Sequence, residues 1–449
     1  MGTWFQTLQG SVTGKVLFIG GLILLLLLPI GLIKELILER THLHDTARAN
    51  VASSWGAPQI LGGPILVVPF QFTRMAYAQP VVVTDELYLL PEQLELTGNV
   101  DSKELFRGIY GVPVYKASFH VTGRFAPPKL GAEYQDLTIL WDQAAIALPV
   151  ADARSVKESI VLTSGDATTI FQPGGTRVPG FGPQLVAPYA ALGLGALTAP
   201  QAFSFDLVLQ GTDTLLFLPL GNETRVSVTS DWGSPNFNGA YLPDDRSVSD
   251  AGFSAQWRVL DLGRGYASSW TRADAPPQAV AASAFGVELM TPVGIHEASM
   301  RAAKYAVLII GLTFVAYFLF ELFAALRLHA LQYLLIGMAN CVFYLLLLAL
   351  AEHVGFAVAY LASATAATTL IAMYSAAVLR SLGRAVPVAA LLAALYGFLY
   401  VTLRAEDYAL LFGALGLFVV LAAFMFLTRR VDWFSVTFGP PRVYGNPNT

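Results

Sequence analysis

Residues 16–33 read VLFIGGLILLLLLPIGLI. They carry no charge, and eighteen apolar residues are about the length a helix needs to cross ~30 Å of hydrocarbon. A stretch rich in charges and turn formers, residues 34–300, follows. From Tyr305 the chain is apolar again almost to its end, and spans are predicted at about 305–326, 331–351, 355–379, 386–403 and 408–428. The fold class is therefore a membrane protein with six transmembrane α-helices, one N-terminal and five C-terminal. Between them sits a large extracytoplasmic, mainly-β, sandwich-like domain. The predicted organisation is a cytoplasmic N-terminus (1–15), an anchor helix (16–33), a periplasmic β-rich domain (34–300), a five-helix bundle (301–430) and a cytoplasmic tail (431–449).

Composition agrees. Of 449 residues, 55% are hydrophobic and only 13% charged, and the mean hydropathy is +0.56. An average soluble chain carries ~25% charged residues. Disorder is excluded for most of the chain, since it needs low hydrophobicity and high charge. The single cysteine, Cys341, excludes an intramolecular disulfide and a zinc site built on paired cysteines. A net charge of −4 gives no electrostatic footprint for nucleic acid.

The first span shares the charged start and apolar core of a secretory signal. Ala47-Arg48-Ala49 resembles a cleavage site but lies too far beyond the core, and KELILER (34–40) continues helical character directly. We therefore expect an uncleaved anchor, with residues 34–55 rising as a helix that sets the height of the insert. Basic residues in short loops decide orientation. With the N-terminus inside, the inner loops collect Lys15, Arg327, Arg380, Arg384, Arg429, Arg430 and Arg442, whereas the short outer loops hold only Arg404. Both termini are thus expected in the cytoplasm, and the acidic insert in the periplasm of a bacterium.

The insert alternates apolar and polar residues with period two over 115–122 and around 203–209, the signature of half-buried strands. Further strands are predicted at 64–72, 80–90, 214–220, 224–230 and 253–260. The clusters GGPI, GNVDSKE, QPGGTRVPGFGP and YLPDD are read as the turns between them, and 165–200 as a loop or inter-subdomain linker. Trp55, Trp141, Trp232, Trp257 and Trp270 are read mainly as core; a cluster of exposed ones would instead mark a glycan or peptide surface.

Several longer strings resemble the CreD inner-membrane protein family. They are ERTHLHDTARANVASSWGAPQILGGPILVVP (39–69), RGIYGVPVYKASFHVTGRF (107–125) and FLPLGNETRVSVTSDWGSPNFNGAYLPDDR (217–246) followed by GFSAQW (252–257). Others are SAFGVELMTPV (283–293), MRAAKYAVLIIGLTFVAYFLFE (300–321) and HALQYLLIGMANCVFYLLLLALAEHVGFAVAYL (329–361). The resemblance covers nearly the whole chain in order. One departure is Ala330, where the family usually has proline, which would soften the loop between the second and third spans. The resemblance implies a bacterial inner-membrane protein associated with cell-envelope integrity, controlled by an envelope-related two-component system and affecting tolerance of some colicins and β-lactams. It implies no defined biochemical activity.

Motifs for catalysis are missing from the sequence. There is no G-x-S-x-G elbow, and no P-loop or H-E-x-x-H, since His296-Glu297 lacks the second histidine. Gly180-Phe181-Gly182 and Gly193-Leu194-Gly195 read as turns, Asn222-Glu223-Thr224 as a hairpin turn, and His120 as a residue on the polar face of its strand. No cofactor or metal is implied.

The polar residues of the bundle are more informative. Glu321 lies two-thirds along the second span, where an unpaired charge is costly. It is expected either to reach Arg327, His329 or Gln332 near the inner interface, or to form a proton or ligand site. Glu352 and His353 close the third span, as an interfacial corner or a docking point. Asn340, Ser363, Thr365, Thr368 and Thr369, with Ala364, Ala366 and Ala367, are expected to serve helix packing.

Two function classes follow. In the first, the protein is a membrane-anchored periplasmic binding or scaffold module without catalysis, its partners the lipid bilayer and an envelope component (peptide, glycan or protein). In the second, the bundle transports a small solute, lipid or proton and the domain gates it. A membrane-surface enzyme is a third reading, with no acid or base residues located for it.

Overall fold

The computed structural model describes residues 12–76, 79–128, 137–193, 195–290, 294–324, 328–379, 381–405 and 408–430. Among them, six helices are long and apolar enough to cross a membrane, one near the N-terminus and five after a large β-rich region. The chain forms two compact units, residues 1–43 with 293–449 and residues 44–292. The unit boundaries thus lie inside the 34–300 read from sequence.

One reason is helix α1, Val12–Trp55, which runs through the anchor stretch without a break at residue 34. The other lies after the β-rich unit and its short helix α2, Pro277–Ala282. There a ten-residue helix α3, Ile295–Lys304, packs with the bundle. Its buried face is Ala298, Ser299, Ala302 and Ala303, residues too small to raise the local hydropathy, so a scan for apolar runs passes over it. At Tyr305 the chain turns, and α4 (Ala306–Ala324) begins. The remaining helices are α5 (Ala330–Val354), α6 (Phe356–Val378), α7 (Leu382–Arg404) and α8 (Ala409–Thr428). Each covers a predicted span to within a few residues. Gly355 links α5 to α6 alone, at φ +79°, a backbone state that favours glycine. Ala330 occupies the first position of α5, where a proline's missing N–H would cost nothing. His329 and Gln332 cap this helix: Nδ1 of His329 accepts from Leu331 N at 3.2 Å, and Gln332 Oε1 accepts from His329 N at 2.8 Å.

The β-rich unit contains three sheets among its described residues. In spatial order, the eight-stranded sheet runs Asp245–Ser249, Gly252–Leu260, Glu223–Ser230, Gln93–Arg107, Tyr110–Phe125, Gln201–Thr212, Val161–Ser164 and Ala167–Ile170. The seven-stranded sheet includes Ala145–Pro149, Ile65–Ala76, Gln79–Leu89 and Ser269–Thr271. The four-stranded sheet is Gln59–Leu61, Thr214–Phe217, Phe285–Leu289 and Pro235–Gly239. Pairing is antiparallel apart from two parallel contacts, 59–61 with 215–217 and 93–100 with 223–230. The period-two reading holds: Tyr115, Ala117, Phe119 and Val121 are buried while Lys116, Ser118 and His120 face out. Phe119 and Trp257 of the eight-stranded sheet meet Phe217 and Phe285 of the four-stranded one, with ring centroids 5.6 to 6.3 Å apart. One continuous core takes in all three sheets, so the insert folds as one unit.

Three turn readings need correction. GNVDSKE (98–104) lies inside the strand Gln93–Arg107. Its glycine is there for space, since a Cβ on Gly98 would sit 2.4 Å from both the Phe119 ring and Ser118 O. Asn222-Glu223-Thr224 does not close a hairpin. It carries the chain from the four-stranded sheet (214–217) into the eight-stranded one (223–230). Residues 165–200 are not a linker either, because 167–170 pair in the eight-stranded sheet and 184–188 in the seven-stranded one.

Candidate functional site

The polar residues of the bundle gather around the carboxylate of Glu321, which is 1% exposed. Burying a charge in an apolar helix bundle requires an opposite charge and hydrogen bonds for the remaining lone pairs. Oε1 accepts from Lys15 Nζ of α1 and, at 2.6 Å, from the backbone N–H of Leu328. Oε2 accepts from the Tyr333 hydroxyl of α5 at 2.9 Å. Lys15 also stands 6.0 Å from the centre of the Tyr333 ring. Glu321 is the one buried charge among the described residues of this unit, and it ties α1, α4 and α5 together.

This corrects the expected partners. The side chains of His329 and Gln332 are engaged in the α5 cap, and Arg327 lies outside the described residues. Glu352, at the other end of α5, pairs with Arg40 of α1 at 3.8 Å, while His353 beside it is exposed. Lys15 and Arg40 are 25 residues apart on one helix, about 37 Å at 1.5 Å per residue. The two contacts therefore bracket a stretch long enough for ~30 Å of hydrocarbon. Nothing local marks Lys15 or Arg40 as site residues, since their partners lie about three hundred positions away, and Tyr333, twelve positions from Glu321, reads as one more aromatic residue of an apolar helix.

The other polar residues do what packing needs. Asn340 Oδ1 accepts from the Tyr396 hydroxyl at 2.9 Å, and the Tyr360 hydroxyl donates to Tyr396 O at 2.7 Å. The Thr365 hydroxyl returns to its own helix at Leu361 O. Ser363 is buried with no hydrogen-bond partner among the described residues.

In the β-rich unit, Trp257 and Trp270 are core residues, whereas Trp55, Trp141 and Trp232 are half-buried. Trp270 also lines a cleft of about 260 Å³ with Tyr266, Leu87, Ser269, Asp274 and Pro276. Phe181 stacks on Trp270 at 6.4 Å and 7°. The Trp270 indole N–H is buried without a partner among the described residues, so the cleft itself presents the faces of Tyr266 and Trp270 beside the polar side chains of Ser269, Thr271 and Asp274. Buried Arg264 supports it. Its guanidinium donates to Gly221 O at 2.6 Å and Ser268 Oγ at 2.8 Å and stacks 4.9 Å from the Tyr266 ring. Burial lowers the Arg264 pKa from its ordinary value. The Tyr266 hydroxyl donates to Pro219 O at 3.0 Å. A second, larger cleft of about 490 Å³ lies on the eight-stranded sheet between Glu95, Arg124, Ser204 and Arg225. His120 is exposed and paired with Asp206 at 2.7 Å. The described residues contain no group of three His, Cys, Asp or Glu side chains placed to hold a metal.

The α1 segment of this unit is fastened by a second acid. Asp213 is buried and the only non-glycine described residue with positive φ, at 59°. Its Oδ2 accepts from Arg48 Nε at 2.6 Å. Burial raises its pKa above the ordinary carboxylate value, against the opposing pull of Arg48.

Six apolar helices, with a β-rich domain between the first and the other five, define a multi-pass membrane protein. The family model described as "Inner membrane protein CreD" matches residues 11–434. A relative, "Inner membrane protein CreD" of Escherichia coli (strain K12), is 34% identical over 445 residues, 95% of each chain. The chain belongs to the CreD family of inner-membrane proteins.

Proposed function

We propose that this protein supports cell-envelope integrity as a membrane-anchored, non-catalytic binding or scaffold module. Its β-rich domain faces the periplasm and holds an envelope component; both termini are cytoplasmic and the bundle is a platform. The cleft at Tyr266 and Trp270 carries this reading. It is walled by the rings of Tyr266 and Trp270, braced by Arg264 and lined by Ser269, Thr271 and Asp274, the equipment for holding a peptide or glycan by stacking and hydrogen bonds. The excess of basic residues in the inner loops supports the orientation. Transport is less well supported, because the acid a proton or solute path would use is already held by Lys15, Tyr333 and Leu328 N–H.

The test is uptake of a normally excluded hydrophobic dye by cells lacking the gene. Cells would receive the full chain, the full chain with Trp270→Ala and Tyr266→Ala, or residues 34–300 on an unrelated single-span anchor. Rescue by the full chain and the tethered domain, lost with the cleft variants, is the expected result. Rescue by the full chain alone, cleft variants included, would move the function to the bundle and restore the transport reading. An intact barrier in the deletion strain would make the integrity effect indirect.

A further inference from the structure

We infer that the cleft on the eight-stranded sheet is a second binding site, built for an uncharged, hydroxyl-rich sugar chain lying across the strands. This goes beyond the site at Tyr266 and Trp270 and does not rest on it. One face of the sheet is turned to the core, where Leu94, Leu96, Val121, Phe203, Phe205 and Val226 are buried. The residues that alternate with them point the other way. Arg225, Glu95, Thr122, Ser204 and Thr163 are Cα partners in turn across five adjacent strands. They form one row on the outer face, four strand steps or about 19 Å long. All five line the cleft of about 490 Å³, a volume in the range of small-ligand sites.

The chemistry of the row sets the class of ligand. The guanidiniums of the cleft are already matched: Arg124 Nε donates to Glu92 Oε2 at 2.8 Å, and Arg225 Nη2 to Glu223 Oε1 at 2.8 Å. Glu223 also accepts from Arg258 Nε at 2.7 Å. The hydrogen bonds from Arg225 and Arg258 hold its carboxyl below the ordinary carboxylate range, so it stays ionised. Two acids, Glu95 and Glu223, and two bases, Arg124 and Arg225, line the cleft, a balance that favours neither an anion nor a cation. Glu95 makes no ion pair among the described residues, and the hydroxyls of Thr122, Ser204 and Thr163 make no hydrogen bond to protein among them. The row therefore presents one unpaired carboxylate acceptor and three hydroxyls that donate or accept, spaced as the strands are, roughly 4.8 Å apart. The methyl groups of Thr122, Thr163 and Ala202 add apolar surface for the C–H faces of sugar rings. A chain of linked rings repeats its hydroxyls from ring to ring, as the row repeats its partners from strand to strand.

The experiment is calorimetric titration of the purified full chain with chitohexaose, an uncharged hexasaccharide of N-acetylglucosamine. Saturable binding is expected. Glu95→Ala removes the charged acceptor and Ser204→Tyr fills the cleft, and each should weaken binding roughly ten-fold or more. Both substitutions lie on the outer face of a strand, where they are tolerated, so melting temperatures should stay close to that of wild type. The double variant Tyr266→Ala with Trp270→Ala should bind the sugar as wild type does. No binding at millimolar sugar would overturn the proposal, as would binding that survives both Glu95→Ala and Ser204→Tyr. Binding lost only with Tyr266→Ala and Trp270→Ala would also overturn it, placing the sugar in the other cleft. Tighter binding of a polyglutamate or polylysine peptide, weakened by Ser204→Tyr, would overturn it too, by making this a site for a charged chain.

Discussion

The bundle and the β-rich unit each bury an acid, and each meets it with a cation from α1: Lys15 for Glu321, Arg48 for Asp213. The two acids live differently. Glu321 has three donors and no solvent contact to speak of. Asp213 has one cation, a left-handed backbone and a proton affinity raised by burial. In the bundle the ion pair is a principal joint between helices whose other contacts are mostly apolar. In the β-rich unit it supplements a core of interlocked rings that would hold without it.

The largest expected effect tests the first half of that contrast. Glu321→Ala strands Lys15 in the bundle, and Lys15→Met strands Glu321; each should cost about 3–5 kcal/mol. The double variant Lys15→Met with Glu321→Met should recover most of it, because apolar residues replace a buried pair at little cost. Cys341, the sole cysteine and buried in the bundle, reports this directly. Its rate of thiol labelling on warming should rise in the single variants and fall back in the double. An unchanged rate in Lys15→Met would break the comparison.

Next is Gly98→Ala, which pushes a methyl group against Phe119 and a carbonyl and should cost about 2–3 kcal/mol. Tryptophan emission reads it, since five of the seven tryptophans lie in the β-rich unit. Loss of stability there without change in Cys341 labelling would sharpen the distinction between the two regions.

Asp213→Asn keeps a residue that tolerates positive φ and should cost about 1 kcal/mol. Its pH dependence is the more telling measurement. Because burial raises the Asp213 pKa, the folded protein keeps a proton in a window just above the ordinary carboxylate range, where the unfolded chain has lost it. This contribution to stability is present at low pH and is lost as pH rises through the raised pKa. The melting temperature of wild type minus that of Asp213→Asn should therefore decline as pH rises above the ordinary carboxylate range. A difference that grows with pH would mean that Arg48 outweighs burial. The smallest effect is expected for Arg40→Gln. A pair at 3.8 Å with Arg40 partly exposed should contribute about 0.5 kcal/mol, seen as a slight rise in Cys341 labelling.

How much of this was legible follows from the range of each signal. Apolar runs and period-two alternation are local, so α1, α4 to α8 and strands such as 110–125 could be read off directly. Glycine misled at Gly98 because a turn and a close approach leave the same letter. Helix α3 escaped because its inner face is alanine and serine. At the candidate sites, the importance of Glu321 was visible as a charge in an apolar run, but its partners were not. Lys15, Leu328 N–H and Tyr333 come from three places that only the fold joins. The cleft at Trp270 was equally hidden, since sequence does not distinguish a core tryptophan from one that also faces a cavity.

The Lys15–Glu321 contact also has a consequence for biosynthesis. The two residues are 306 positions apart, which at 5–20 residues per second is about 15 to 60 s of synthesis. The anchor must wait in the bilayer for that time while the β-rich region is made. When α4 is released, its carboxylate meets a lysine already in place. A helix that would otherwise enter lipid carrying an unmatched charge thus arrives at its counterion, and the last spans close the bundle around a joint half built at the start.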